Sequence, residues 1–234
     1  MKKVFFFGDS NTYGYDPAGF MGGRYPYAAR WTTILQELLS HPSGVQEAWE
    51  VSADGLPGRA LPVTRYEWDY LASVLCEEMP FTLFAVMLGT NDLLSTLHPD
   101  AAHVARNMDS LLSFVGKILD RESSDESREA AGTGGSRPEL MIIAPPRIVL
   151  TDQSYREPYV CGDRTYAQVY HEEGQKLARY YRELASYRGV RFADASEWEL
   201  DFAYDGVHLS EQGHARFAAQ MASVLREISP AEGQ

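Results

Sequence analysis

The chain has 234 residues, 44% of them hydrophobic and 23% charged, which is enough apolar material for a sizeable core in a soluble α/β protein. Acidic side chains number 33 against 21 basic ones, a formal charge of -12, and no Lys/Arg cluster offsets them, which argues against nucleic acid or an anionic membrane as partner. Only four apolar residues follow Lys2-Lys3, too few for a signal peptide or a membrane span, and two distant cysteines, Cys76 and Cys161, make no disulfide framework; a cytoplasmic, reduced chain is expected.

The first element is an apolar run, Val4-Phe5-Phe6-Phe7, that stops at Gly8-Asp9-Ser10. It reads as a buried strand ending in a tight turn that hands the chain to a helix. Ligands sit at the carboxyl ends of strands in open parallel sheets, so Ser10 is placed at the mouth of a crevice. Taken alone, it is equally an ordinary helix cap. Residues 14–29, rich in Gly, Pro and Tyr, read as a loop. Trp31, Ile34, Leu35 and Leu38 then recur at helical spacing, and the helix ends at Ser40-His41-Pro42-Ser43-Gly44. A short strand is assigned to residues 45–51 and a turn-rich stretch to residues 52–59. Residues 66–79 predict a helix with Tyr70, Leu71, Val74 and Leu75 on one side and Pro80 as its stop.

Residues 81–88 are nearly all apolar, a strand buried on both faces, and they deliver Gly89-Thr90-Asn91-Asp92 to its end. A helix carries Val104, Met108, Leu111, Leu112, Val115 and Ile118. Residues 121–138 are polar and of low complexity, and read as a mobile surface insertion. A strand over 140–144 ends at Pro145-Pro146, and a loop over 147–165 with Tyr155, Pro158 and Tyr159 is suited to walling a pocket. A helix over 166–188 is stopped by Gly189, and a last strand spans 190–195. Asp205-Gly206-Val207-His208 precedes a helix that starts near Ser210 and carries Phe217, Met221, Leu225 and Ile228. Strand and helix alternate throughout. That predicts a five-stranded parallel sheet with helices on both faces, in one domain spanning residues 1–234.

Three polar clusters stand at strand ends or a helix start: Ser10, Asn91, and Asp205 with His208. A serine hydroxyl needs an adjacent base to act as a nucleophile, and the base is usually a histidine oriented by a carboxylate. The N–H groups of Ser10 and Gly58 and the side-chain amide of Asn91 are candidate donors to a developing oxyanion. Asp9 and Asp92 are candidates for supporting roles beside them, although a structural turn role accounts for Asp9 at least as well and is the preferred reading of Asp92. His171-Glu172 resembles the start of a zinc-binding helix, but Gln175 stands where the second ligand belongs, and His208 and His214 are six apart; no metal or other cofactor is expected. Tyr13, Tyr15, Trp68, Tyr155 and Tyr159 are candidates to line a pocket, with ordinary packing the simpler account of each alone.

The blocks Gly8-Asp9-Ser10, Gly55-Leu56-Pro57-Gly58, Gly89-Thr90-Asn91-Asp92 and Asp205-Gly206-Val207-His208 resemble, in order and spacing, the four signature blocks of the SGNH (GDSL-type) hydrolase superfamily. Arg30-Trp31-Thr32, Ala144-Pro145-Pro146 and Phe192-Ala193-Asp194-Ala195 are similar to the bacterial arylesterase/acyltransferase branch. The resemblance implies a flavodoxin-like three-layer sandwich with strand order 2-1-3-4-5 and no metal. It implies Ser10 as nucleophile, His208 as general base, Asp205 as its orienting carboxylate, and Ser10, Gly58 and Asn91 as the oxyanion hole, with Gly55 ranked below Gly58. It departs at Asn11, where many relatives are apolar, and at Pro57. The implied activity is hydrolysis of small acyl esters, acetyl or short-chain and also aryl, with acyl transfer to an alcohol or peroxide as an extension. Homo-oligomers are frequent in this branch. Two alternatives stand beside it: a carbohydrate O-acetyl esterase, and a flavodoxin-like module that cradles a phosphate or nucleotide at the Gly8-Asp9-Ser10 turn.

Overall fold

Side chains alternate along each strand, and here the alternation sorts apolar residues into two cores. The computed structural model describes residues 1–19, 23–40, 48–123, 137–158 and 160–228. Five strands, β1 (Lys2–Gly8), β2 (Trp49–Gly55), β3 (Leu83–Met87), β4 (Glu139–Ala144) and β5 (Arg191–Asp194), form one sheet in the order β2-β1-β3-β4-β5. All its pairings are parallel. Val4 and Phe6 of β1 point to one face and Phe5 and Phe7 to the other.

The helices are α1 (Ser10–Tyr13), α2 (Trp31–Ser40), α3 (Arg65–Glu78), α4 (Thr90–Leu94), α5 (Ala101–Ser123), α6 (Ala167–Arg188) and α7 (Glu211–Ile228). One core joins the sheet to α2 and α7 through Trp31, Leu35, Phe217, Met221 and Leu225. Trp31 sits with its ring centroid 4.9 Å from Phe6 and 4.8 Å from Phe217. Burying a side chain of this size contributes roughly 1.5–3 kcal/mol. The opposite core takes Leu71 and Leu75 of α3, the apolar stripe of α5 and Leu177 and Tyr181 of α6. This is the expected three-layer sandwich with the expected strand order.

Three local differences from the sequence reading have physical causes. β2 begins at Trp49 and runs through Ser52-Ala53-Asp54-Gly55, residues that read as a turn; it is an edge strand, so its outward face accepts polar side chains while its backbone pairs with β1. Residues 14–29 contain a small antiparallel ribbon, Tyr15–Asp16 with Gly23–Arg24, two pairs too short to leave a periodic signal. α5 continues through Ser123, into the stretch read as an insertion, and residues 124–136 lie outside those described, as do His41 and Tyr159. Trp68 does as the simpler sequence reading had it: it packs against Phe114, ring centroids 4.9 Å apart, beside the core formed by α3 and α5.

Register decides where the loops emerge. Gly8 pairs with both Gly55 and Met87, so β1, β2 and β3 end level with one another. Their following loops, carrying Ser10, Gly58 and Asn91, therefore open side by side. Among the described residues no helix is long and apolar enough to cross a membrane.

Candidate active site

Ser10 is the first residue of α1, a single helical turn that starts at the end of β1. Asp9 caps it, its Oδ1 accepting the Asn11 N–H at 3.0 Å, and Gly14 closes it in the left-handed conformation. The first N–H groups of a helix have no partner within it, and the Ser10 N–H is one of these. Burial lifts the Asp9 carboxyl from 3.8 to about 6, and the neighbouring His208 and Arg59 moderate that rise.

The imidazole arrives from the other end of the chain. His208 Nε2 lies 2.9 Å from Ser10 Oγ, and His208 Nδ1 lies 2.6 Å from Asp205 Oδ2. A carboxylate accepts, so Nδ1 carries the proton and the Nε2 lone pair faces the serine hydroxyl. Asp205 is fully buried and its Oδ1 accepts the N–H groups of Val207 and His208, each at 3.0 Å. The turn between them needs Gly206: its φ is 64°, and a Cβ there would sit 1.7 Å from the Val149 carbonyl oxygen. Tyr15, from the ribbon, covers the imidazole with ring centroids 4.6 Å apart. The Ser154 hydroxyl donates to the Asp205 carbonyl, tying the 147–165 loop to the same turn.

The sequence singled out Asn11 only as a departure from the family pattern. In the structure it is buried and both ends of its amide are used: Nδ2 donates to the Val207 carbonyl at 3.2 Å and Oδ1 accepts the Leu209 N–H at 2.8 Å. These are the neighbours of His208. The Asn11 carbonyl in turn accepts the Trp31 indole N–H at 2.9 Å.

In the loop after β2, Gly58 has φ 77° on an open turn, where an added Cβ would meet nothing within 4 Å. Asn91 stands in the first turn of α4, its Nδ2 donating to the Arg59 carbonyl at 2.9 Å, which fixes the amide plane and leaves a second N–H to point elsewhere. Gly55 holds a different place: a Cβ on it would lie 2.2 Å from the Tyr13 backbone nitrogen, so it lets β2 approach α1. Asp92 accepts the Leu61 N–H with both oxygens at 3.2 Å, bracing the Gly58 loop, and burial raises it to about 6.

Arg59 was not singled out from the sequence. Its guanidinium is buried over the Phe7 ring, 4.1 Å from the centroid, and donates to the Gly8 carbonyl at 2.9 Å and the Asp54 carbonyl at 2.7 Å. It also pairs with the Asp54 carboxylate at 3.1 Å. One side chain thus joins the ends of β1 and β2 to the loop beside Gly58. The only hint in the sequence was an arginine inside a Gly/Pro turn.

A serine, imidazole and carboxylate in one hydrogen-bonded line at the carboxyl edge of a 2-1-3-4-5 sheet are the parts of an acyl-transfer centre. Residues 4–221 match the model of the GDSL-like lipase/acylhydrolase family, and the chain belongs to that family. The fold is similar to the aryl esterase of M. smegmatis, with 25% identity, 97% of this chain and 99% of that one covered, and a TM-score of 0.75. A carbohydrate acetylesterase from Sinorhizobium meliloti aligns at 25% identity over 97% of this chain and 100% of its own, TM-score 0.71. A carbohydrate acetylesterase family member from the same organism gives 27% identity, 97% and 99% coverage, and a TM-score of 0.74. No curated protein sequence matches the chain. The family and these likenesses make it a carboxylic-ester hydrolase acting on small-molecule esters.

Proposed function

We propose that the protein hydrolyses small acyl esters, acetyl or short-chain and including aryl esters, through an acyl-Ser10 intermediate. The continuous line from Ser10 Oγ to His208 to Asp205 carries this reading. Ser10 Oγ attacks the ester carbonyl carbon while its proton passes to His208 Nε2, and buried Asp205 stabilises the imidazolium. The carbonyl oxygen takes the negative charge, held by the N–H groups of Ser10 and Gly58 and the Asn91 amide, each worth roughly 3–4 kcal/mol of barrier. Collapse breaks the bond to the alkoxide, which leaves with the proton from His208. Water then attacks the acyl-serine, giving its proton to His208; the bond to Ser10 Oγ breaks, Oγ takes that proton back and the acid departs, and an alcohol or peroxide in place of water gives acyl transfer.

Replacing Ser10 with Ala is expected to abolish turnover of a short p-nitrophenyl ester without changing the melting temperature. Retained turnover would remove Ser10 from the mechanism. The likeness to the carbohydrate acetylesterases favours a second substrate set, O-acetylated sugars, and acetylated xylo-oligosaccharides compared with aryl acetates decide between them. A phosphate- or nucleotide-binding module gives Asp205 and His208 nothing to do, and fluorophosphonate labelling of Ser10 would dismiss it.

Residues 1–234 act as one catalytic unit in this reading, without metal or cofactor. Cys76 and Cys161 are both free thiols, which supports a reducing, cytoplasmic setting. A homo-oligomer completes the proposal, with native mass as its measurement.

A further inference from the structure

Two cavities open at the carboxyl edge of the sheet, each lined by residues that follow a strand next to β1. One, about 440 Å³, lies beside Gly58 between Leu56, Pro62, Tyr66 and Tyr70. The other, about 450 Å³, begins at Thr90, next to Asn91, and extends across the loop after β4 to one face of α6. Register fixes its distance from the chemistry. Gly8 pairs with Met87 and Val86 with Ile142, so Ile143 is level with Gly8, the last residue of β1, and the cavity rim begins at Pro145, two residues further on. Only β3 separates β1 from β4, so the end of β1, which Ser10 follows by two residues, and the end of β4, from which the rim rises, stand two strand spacings apart, roughly 10 Å. A ring attached to the scissile ester, carrying a charged substituent on its far side, reaches that far.

The lining carries a specific charge. Arg182 is held by Asp194 at 2.6 Å and Glu197 at 3.3 Å, and Arg179 lies 3.8 Å from Glu183. Arg147, exposed on the loop after β4, has no acidic partner among the described residues, in a chain of net charge -12. Beside it the walls are apolar, from Pro145, Pro146 and Ile148, and Gln175 offers an amide. The floor includes Gly174, in the middle of α6, where glycine costs about 1 kcal/mol relative to alanine. No packing demands it: a Cβ there would meet nothing within 4 Å. What its missing side chain supplies is room in the cavity.

We propose that this cavity receives the far end of the substrate, and that this end is a carboxylate paired with Arg147. The substrate class is an ester of a ring compound that bears an acid group across the ring from the scissile bond. A guanidinium fork suits that group because it makes two parallel charge-assisted hydrogen bonds to a carboxylate. The proposal rests on the esterase reading above.

The test measures kcat/KM for 4-acetoxybenzoate and for phenyl acetate, its uncharged counterpart. The wild-type protein is expected to favour the carboxylate ester at low salt, with the preference shrinking as salt screens the pair. Arg147→Gln is expected to lower kcat/KM for 4-acetoxybenzoate about tenfold more than for phenyl acetate, the size of a charged hydrogen bond at a partly exposed site. Gly174→Leu, which fills the floor, should do the same. Equal kcat/KM for the two esters in the wild type, or an equal loss on both in Arg147→Gln, overturns the proposal and leaves the esterase reading standing. Failure to hydrolyse either ester sinks the esterase reading and this one with it. O-acetylated glucuronate against O-acetylated glucose tells a sugar acid from a carboxyaryl ester. Calorimetry on the Ser10→Ala protein adds a readout free of turnover: binding of 4-acetoxybenzoate that is lost on Arg147→Gln supports the pairing, and binding indifferent to that change overturns it.

Discussion

Asn11 holds His208 by the backbone on either side of it, donating to the Val207 carbonyl and accepting from the Leu209 N–H. The helical turn that carries Ser10 therefore grips the loop that brings His208, and the Ser10–His208 distance is set by backbone as well as by the imidazole.

Asn11→Ala leaves a carbonyl and an N–H buried without partners, at about 1–3 kcal/mol each. A small displacement of His208 from Ser10 lowers kcat by up to roughly a hundredfold. Thermal melting and kcat on the same preparation check both. A core variant of matched stability loss, Leu75→Ala, should keep its kcat at temperatures where it stays folded.

Asn91→Ala removes one candidate oxyanion donor and the partner of the Arg59 carbonyl. The expected result is a fall in kcat of about 10²–10³ with little change in KM, since the donor acts on charge that develops in the transition state. Steady-state kinetics on an aryl acetate read it directly. A loss confined to KM would relieve Asn91 of that role.

Arg59→Lys keeps the charge but not the fork that reaches the Gly8 carbonyl, the Asp54 carbonyl and the Asp54 carboxylate together. Denaturant unfolding is expected to show lower stability, and kcat to fall by ~10- to 100-fold as the Gly58 loop loses its anchor. Ser10 itself is untouched, so fluorophosphonate labelling should slow without disappearing.

Acid should act on stability in two opposite ways. Burial pushes His214, whose Nδ1 accepts the Trp31 N–H, down from 6.5 to about 4, with repulsion from His208 and Arg30 adding to the shift. Between those values the unfolded chain binds a proton that the folded one refuses, so stability falls as pH drops. Asp9 and Asp92, raised from 3.8 to about 6, take up protons first in the folded state; their contribution is complete below 3.8 and is lost as pH rises through 6. In melting scans from about pH 7 to about pH 5, His214→Gln should gain on the wild type as pH falls, and Asp92→Asn should lose ground to it.

Ser10 and Asn91 were legible because each follows an apolar run, which marks a buried strand whose end is fixed, whereas Asp205 and His208 were read from their spacing ahead of the last helix. The strands around Phe6, Phe84 and Ile142 announced themselves that way. β2 did not, since at the sheet edge the requirement on Ser52 and Asp54 is backbone pairing and not burial. Asn11 and Arg59 escaped for another reason. Their roles lie in backbone atoms they touch, Leu209 and Val207 in one case, Gly8 in the other, and a backbone amide leaves no residue type to read. The ion-pair state of Arg147 was invisible because it depends on which neighbours Arg182 has already claimed.

Ser10 and His208 touch across 198 positions of chain. On a ribosome the hydroxyl emerges early and waits, without its base, until nearly all the rest has been made. In the proposed mechanism ester turnover therefore reports a completed chain: a product that stops short of residue 208 has the hydroxyl without its imidazole, and is expected not to cut.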